Sequence, residues 1–485
     1  MRLYMLLLGF ALFSQTNTSA QEKWNLRTIV DYAMVNNIGV KQSEIQAKIS
    51  TLTYNQSRLS LFPIVNFGGN GSVNNGNNQD PITFQRINET FLTAGLQLQT
   101  SADIFNFYSK RNTIAANEWE LKAAVANIGK IKNDIALSAA NAYLQVLLAI
   151  EQEKITLVQV AQTTEQLDNV RRQVNAGVLP ELNLVQLEAQ LALDSVNYIN
   201  AKGNITQSIL NLKNFMNIDA AAPFEVDVPP IESIPIEPIA DLMPADVYQL
   251  ALTNQPLQQV NAYRLQAAEK NKAAARGAMY PTISAFGNIS SNFLAFGKRP
   301  FYDRIFSGYV PTNNGLKANV NGTLYDVETP VFAQGNNLLG FIKPNSLGTQ
   351  LADNRRQSVG LNLSVPIFNS GNLKTNYERT KLNIQSLELQ KTQDDLQLKQ
   401  DIYQAHNAAS IALEKFNASK KSVASSEKTY EFANKRFGVG MLNSFDLITT
   451  QNNLLRAKLE YTINQFDYVF KMKVLEFYRG QGLKL

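Results

Sequence analysis

Two hydrophobic periodicities, one typical of helices and one typical of strands, alternate along the chain. The same order of helical and strand-like stretches occurs twice. Long stretches place apolar residues every three or four positions, as in residues 135–160, which is typical of helices. Between them lie shorter stretches in which apolar and polar residues alternate, as in strands with one apolar face. Each half therefore reads as a helix, two strands, a long helix and a shorter return helix. The predicted helices are 27–60, 108–174 and 181–217, and then 245–279, 372–437 and 444–478.

The two halves are copies of one unit. "AMVNN" (33–37) aligns with "ALTNQ" (251–255) at a shift of 218 residues, and "DIFNF" (103–107) aligns with "PIFNS" (366–370) at a shift of 263. The second copy has therefore gained 45 residues between its two strands, 263 − 218. The predicted organisation is a first repeat over 21–221, a connector over 222–244 and a second repeat over 245–485.

The connector and the insertion differ in composition from the rest. Residues 222–244 hold six prolines, which forbid a regular helix and predict an extended strap. The inserted segment, 294–357, mixes aromatics, glycines and prolines without a helical period. It joins the two strands of the second copy, so we expect a long extracellular loop, opposite the helices.

The strands suggest a membrane protein. The predicted strand hairpins are 62–106 and 280–369, and in the second one Leu361 and Leu363 face away from Asn362 and Ser364. Taken alone, such strands favour a soluble sandwich. Residues 1–20, however, read as a signal peptide cleaved after Ala20, which predicts export.

Membrane crossing by this chain would require a closed barrel. No stretch after residue 20 approaches the ~18 consecutive apolar residues of a membrane helix. Strands can cross only when their edges are paired, and natural barrels begin at about 8 strands. Four strands per chain therefore imply a shared barrel, built by two chains with eight strands or by three with twelve.

The long helices meet their return helices at two similar turns. "RQVNAGVLPELNLV" (172–185) and "KRFGVGMLNSFDLI" (435–448) align with Gly177 opposite Gly440. We expect both glycines to take the left-handed conformation that ends a helix. Pro180 suits a first helical turn, and Asn443 or Ser444 can cap the helix that follows. Each turn is predicted to be the tip of a helical hairpin, about 100 Å from the strands.

Composition excludes several functions. The formal net charge is +5 and no basic run occurs, so no nucleic acid partner is expected. There is no cysteine, the eight methionines do not cluster, and the single histidine, His406, lies on a predicted helix. No nucleophile motif accompanies that histidine. We expect no catalytic residue, cofactor or metal.

The chain resembles the TolC-like outer-membrane efflux family over nearly all of residues 25–480. The matching elements are "YAMVNN", "LFPIVNFGG", "VGLNLSVPIFNSG" and "KRFGVGMLNSFDLITTQNNLLRAKLEY". The resemblance implies an α+β membrane protein: a homotrimer with a shared twelve-stranded transmembrane β-barrel in the outer-membrane lipid. Long antiparallel helical hairpins would form a periplasmic tunnel. It also implies docking to a periplasmic adaptor that connects the channel to an inner-membrane pump.

The resemblance also implies roles for the tips. The adaptor-docking triplets would be Ala176-Gly177-Val178 and Val439-Gly440-Met441, although ordinary turn chemistry explains them equally well. The family's tunnel entrance is closed by Tyr, Arg and Asp, at places held here by Phe437, Leu442 and Asn183. A charged lock is therefore not expected. Asp446 matches an entrance aspartate, or is simply a favourable residue in a first helical turn.

The function expected is that of an outer-membrane exit duct in a tripartite efflux or secretion system. Two alternatives remain at this point. A general porin is disfavoured because porins carry all their strands in one chain and lack long helices. The other alternative is a secreted coiled-coil adhesin or scaffold, which finding the mature protein in the outer membrane as a heat-sensitive trimer would exclude.

Overall fold

The computed structural model describes residues 23–79, 86–231, 234–312 and 315–480. The predicted signal peptide, 1–20, lies outside these residues. The chain divides into two compact units: a helical one within 1–57, 111–273 and 375–485, and a strand-rich one within 58–110 and 274–374. Each sequence repeat contributes to both units, so the repeats and the compact units are different divisions of the chain.

In the described part of the chain, eight helices stand in the places of the six predicted ones, and the four long and return helices lie within two residues of their predicted bounds. In the first repeat they are α1 Leu26–Asn36, α2 Ile38–Leu59, α3 Ser109–Asn175 and α4 Glu181–Met216. In the second they are α5 Pro244–Asn254, α6 Pro256–Gly277, α8 Asn372–Gly438 and α9 Ser444–Tyr478, with the short α7 described below. The long helices α3 and α8 have 67 residues each, which corresponds to about 100 Å.

The prediction of one continuous helix at the start of each repeat is wrong. The chain is extended at Asn37 (ψ 137°) and at Gln255 (ψ 128°), which divides each predicted helix in two. Pro256 restricts the residue before it to the extended region. In the first repeat the Asn37 side chain accepts a hydrogen bond from the Gly39 backbone at 2.8 Å, which replaces a helical partner.

At each break, a side-chain amide donates hydrogen bonds to carbonyls at the end of a return helix. Asn37 Nδ2 donates to the carbonyl of Phe215 at 2.8 Å, at the end of α4. Gln255 Nε2 donates to the carbonyls of Phe477 and Tyr478, both at 3.1 Å, at the end of α9. The break in each repeat therefore contacts the C-terminal end of the return helix of the same repeat.

Four antiparallel strands form the main sheet in the order β1–β2–β3–β8. Their bounds are β1 Ile64–Gln79, β2 Arg86–Phe105, β3 Thr282–Phe296 and β8 Arg356–Ser364. The last strand stops before the predicted end at 369 because Pro366 has no N–H to donate to a ladder. Among the described strands, none pairs with the outer edge of β1 or of β8.

One face of this sheet is apolar and uncovered. On β8, Val359, Leu361 and Leu363 alternate with polar residues and are 90%, 70% and 64% exposed. On β1, Val65 and Phe67 are 63% and 73% exposed. The chain by itself leaves this face open, as expected of strands that contact lipid.

The inserted segment contains regular structure that the sequence did not predict. It forms a long hairpin of β4 (Arg299–Pro311) and β7 (Glu328–Ile342), a small hairpin of β5 (Lys317–Val320) and β6 (Thr323–Asp326), and helix α7 (Leu347–Asp353). The strand signal was missed because β-bulges interrupt the alternation in β4.

Helix α7 ends the β3–β8 ladder. The Gln350 amide donates to the Leu294 carbonyl at 2.8 Å and accepts from the Leu294 N–H at 3.0 Å. One side chain thus makes the two hydrogen bonds that a neighbouring strand residue would make. The pairing of β8 with β3 accordingly begins only at Arg356.

Buried charges at equivalent positions hold the connector. Lys213 Nζ, on a residue 6% exposed, donates to the carbonyls of Ala220 and Ala222 at 2.8 and 2.6 Å. Glu476, at the same place in the second repeat and 2% exposed, accepts from the Glu237 N–H at 2.9 Å. The described part of the connector is mostly non-helical, as predicted, with one 3₁₀ turn at Ile239–Asp241.

Candidate functional site: the tips of the helical hairpins

The first tip is a helix C-terminus closed by a glycine. Gly177 has φ +71°. Its N–H donates to the Val174 carbonyl at 2.9 Å, and the Val178 N–H donates to the Gln173 carbonyl at 2.9 Å. This pair of bonds is the Schellman motif, which satisfies the last carbonyls of α3 and turns the chain back.

The second tip repeats this geometry bond for bond. Gly440 has φ +74°. Its N–H donates to the Phe437 carbonyl at 3.0 Å, and the Met441 N–H donates to the Arg436 carbonyl at 2.8 Å. The predicted left-handed glycines are therefore confirmed at both tips.

The return helices begin differently in the two copies. Asn443 caps α9, because its Oδ1 accepts from the Asp446 N–H at 2.8 Å. Pro180 precedes α4 in an extended conformation (ψ 147°) and makes no side-chain cap. Ser444, the other candidate cap, is 1% exposed and bonds to the first hairpin instead.

Both tips expose apolar side chains. The docking triplets predicted from the resemblance contribute Val178, Val439 and Met441, which are 70%, 71% and 69% exposed. The neighbouring Leu182 and Phe445 are 64% and 65% exposed. A Cβ placed on Gly177 or Gly440 would meet no atom within 4 Å, so the surface beside each glycine is open.

The four predicted entrance residues fall into two groups. Asn183 and Phe437 lie where the two hairpins meet. Ser444 Oγ is 3.0 Å from Asn183 Oδ1 and 2.6 Å from Gln186 Oε1, and its single proton serves one of them at a time. Phe437 packs on the core of the first tip. Leu442 is half-buried, and Asp446 is exposed.

A buried polar network behind the tips was missed by the sequence reasoning. Asp194 of α4 is 1% exposed, and its carboxylate accepts from Thr163 Oγ1 at 2.7 Å and from Gln190 Nε2 at 2.8 Å. Gln451 of α9 donates to Thr163 Oγ1 at 3.0 Å. The Gln190 and Asn452 amides bond to each other in both directions, at 3.1 and 3.2 Å. The network therefore joins both hairpins.

Spacing in the sequence could have revealed this network. Thr156, Gln159 and Thr163 recur at intervals of three and four and continue into Leu167 and Val170. All five are buried on one face of α3. Polar residues in register with an apolar stripe therefore mark a buried hydrogen-bonded layer.

The two long helices also meet through a tyrosine. Gln166 Nε2 on α3 donates to the Tyr430 hydroxyl on α8 at 2.7 Å. Burial raises the pKa of Tyr430, so the phenol is neutral at physiological pH. Nearby, the Lys435 ammonium bonds to Glu431 and holds the pKa of that exposed carboxyl below its usual value.

No group of three or more histidine, cysteine or acidic side chains among the described residues could hold a metal ion. Within that same part of the chain, no helix is long and apolar enough to cross a membrane.

Comparison with known families decides the identity. The family model described as "Outer membrane efflux protein" matches residues 29–217 and 247–468, which covers most of both repeats. The chain belongs to this family. The outer membrane efflux proteins share the α+β fold predicted from the sequence, and the predicted outer-membrane location is confirmed with it.

The similarity to known relatives extends over nearly the whole chain. Outer membrane protein TolC of Escherichia coli is 20% identical over 471 residues, 96% of this chain and 84% of that protein. A probable efflux pump outer membrane protein of Pseudomonas putida, TtgC, is 22% identical over 89% of this chain and 78% of its own. The crystal structure of the Campylobacter jejuni outer membrane channel CmeC superposes with a TM-score of 0.72 at 18% identity, covering 95% and 87% of the chains.

Proposed function

We propose that this efflux protein is the exit duct of a tripartite system and that its glycine-centred tips dock a periplasmic adaptor. Three copies of the chain assemble, and their three four-stranded sheets close one twelve-stranded barrel. Closure pairs the open outer edges of β1 and β8, which lipid could not satisfy. The adaptor links the duct to an inner-membrane pump. The general porin and the adhesin alternatives do not fit the family.

One observation carries the docking proposal. Each tip presents an open glycine turn flanked by apolar side chains about 70% exposed. Exposed apolar groups in one patch are typical of interaction sites. A glycine at the turn lets a partner helix approach the backbone closely, since no side chain intervenes.

Asp446 contributes to selectivity under this proposal. Its carboxylate is exposed in the first turn of α9, and threefold symmetry would make it a ring of three negative charges. Asn183 and Phe437 have a different role, because they are engaged in packing the hairpins together. They stabilise the packing of the hairpins at the entrance, at positions where the family has the Tyr, Arg and Asp side chains that close it.

Two further assignments, the absence of an enzymatic step and the location of the β4–β7 hairpin, follow from the proposed role as an exit duct. The chain is passive and performs no enzymatic step, because the pump supplies the energy for export. The β4–β7 hairpin lies at the extracellular side, since it connects strands β3 and β8 at the ends remote from their helices.

Site-directed crosslinking tests the docking proposal. The chain has no cysteine, so a single Val439→Cys or Val178→Cys carries a photoactivatable maleimide without competition. In cells with the adaptor, both tip variants should give an adduct larger by the mass of the adaptor. The matched control is Glu414→Cys, which is exposed and lies 24 residues before Gly438, about 36 Å along α8. Adducts from Glu414→Cys alone would exclude the tips as the docking surface.

A further inference from the structure

The polar face of the main sheet consists mainly of uncharged amide and hydroxyl side chains. Asn66, Gln99, Asn288 and Ser358 are successive partners in the ladder, so they form one row across all four strands. These residues alternate along their strands with the apolar residues of the opposite face. In the proposed barrel the apolar face contacts lipid, so the polar face lines the interior.

Arg356 places a positive charge on this polar face. It is the first residue of β8 and lies two positions before Ser358, so both side chains belong to the same face. Its own row across the sheet consists of Gly68, Gln97 and Ser290, none of which is charged. Each chain therefore contributes a single positive charge at this level of the wall.

No carboxylate neutralises this charge within the described part of the chain. Arg356 is exposed, and no described acidic side chain forms an ion pair with it. Asp353 of α7, three residues earlier, is exposed as well. Asp103, the other charged side chain described on the polar face, is already paired with Lys110 at 2.8 Å. The Arg356 guanidinium thus remains available to a solute.

The first repeat has a neutral residue at the equivalent position. Arg356 aligns with Thr93 at the shift of 263, and Thr93 lies on the polar face of β2. Its hydroxyl oxygen is 2.8 Å from that of Ser72, so the two form a neutral pair. The charge belongs to the second repeat alone, and a trimer therefore has three such arginines rather than six.

We propose that the three Arg356 side chains of the trimer form a ring inside the barrel that favours anionic cargo. The cargo would be solutes that carry carboxylate, phosphate or sulfate groups, because a guanidinium binds these groups through two parallel hydrogen bonds. The ring rests on the trimeric duct of the proposed function and adds a substrate class to it.

The dimensions of a twelve-stranded barrel make such a ring effective. Barrels of about eight strands are filled by side chains, whereas those of about sixteen enclose a water channel. A twelve-stranded barrel is intermediate, so a solute inside it stays close to the wall. Charges act over a Debye length of about 10 Å at 0.1 M salt. The neutral amides and hydroxyls of the neighbouring rows do not oppose the field of the ring.

The reversal potential of single trimers under a potassium chloride gradient tests the ring. Arg356→Gln should shift this potential towards the equilibrium potential of the cation, because the wall loses its preference for chloride. Removing the charge of Asp446 should shift it in the opposite direction. The effect of Arg356→Gln should shrink between about 0.01 M and about 1 M salt, since the Debye length falls from about 30 Å to about 3 Å.

Two control variants separate the ring from a general change of charge. Arg356→Lys keeps the positive charge and should retain the wild-type potential. Arg355→Gln removes the same charge one position earlier, where the alternation of a strand directs a side chain to the opposite face, and should also retain it. A shift in either control as large as that of Arg356→Gln would overturn the ring.

Native mass separates this proposal from the duct itself. A wild-type trimer that conducts, combined with an unchanged reversal potential in Arg356→Gln, would overturn the ring and leave the duct standing. A wild-type mass of one or two chains in mild detergent would overturn both. The variants are compared only as trimers of wild-type mass, which the exposed position of Arg356 favours.

Discussion

The two repeats share their backbone turns but differ in what lies behind them. Both tips close with the same two hydrogen bonds around a left-handed glycine. Asp194, the centre of the buried polar network, is replaced by Ala457 at the equivalent position of the second repeat. Asp446 faces solvent where the first repeat has Asn183, which bonds to Ser444.

This difference shows that the two repeats kept the same backbone turn after duplication, whereas their buried polar side chains came to differ. The glycine turn depends on backbone geometry alone, so two copies reproduce it with different neighbours. Buried polar side chains need specific partners, and the first repeat supplies most of them while the second contributes Gln451 and Asn452. The two hairpins are therefore alike in path and unequal in how they are held together.

The largest expected effect is at the tips, where the two copies are alike. Gly440→Val should abolish export and leave the trimer intact, and Gly177→Val should act in the same direction. The left-handed conformation costs a residue with a side chain about 1–2 kcal/mol, and the added bulk also obstructs an adaptor. Export is measured as resistance of a strain without other efflux channels, and assembly as native mass.

Gly438→Val is the matched control, because Gly438 ends α8 without a positive φ and an added Cβ meets no atom within 4 Å. Normal export by the Gly177→Val/Gly440→Val double variant would show that the tips are not required for docking.

A smaller effect is expected where the copies differ. Asp194→Ala removes the acceptor for three buried donors, Thr163, Gln159 and Gln190, and should destabilise the helical unit by about 2–4 kcal/mol. Hydrogen exchange of the tip half of α3 and α4 should accelerate, and the thermal midpoint should fall.

Asp168→Ala is the comparison for this loss, since that carboxylate is 62% exposed and lies 3.6 Å from the Arg171 guanidinium. An exposed pair of this kind contributes about 0–1 kcal/mol. Equal rates of hydrogen exchange in Asp194→Ala and Asp168→Ala would show that the buried network stabilises the hairpins no more than the exposed ion pair does.

The smallest effect is expected at Asp446. Asp446→Asn makes this position match Asn183 of the first repeat, so the channel loses three charges from its entrance. Cation selectivity should weaken, because carboxylate rings favour cations in narrow passages. The measurement is the reversal potential of single trimers under a salt gradient. An unchanged potential would mean that Asp446 serves only the helix start.

The sequence alone determined the repeat, the order of elements and the bounds of the long helices. Apolar periodicity and terminal glycines are local signals, and they act through backbone geometry and local capping. The same locality explains why Gly177 and Gly440 were placed correctly in the left-handed region. It also explains one failure, because the Asn37 side chain at the break bonds in addition to the carbonyl of Phe215, which is 178 residues away in the sequence.

Tertiary structure alone decided which polar residues are buried and which apolar residues are left open. Asp194 is indistinguishable in sequence from a solvated helical acid until α3, α4 and α9 enclose it. Leu382 and Ile45 look like core positions until packing leaves them exposed on opposite flanks of one chain. Burial is a property of neighbouring elements brought together by folding, so only the folded chain shows which apolar residues stay exposed.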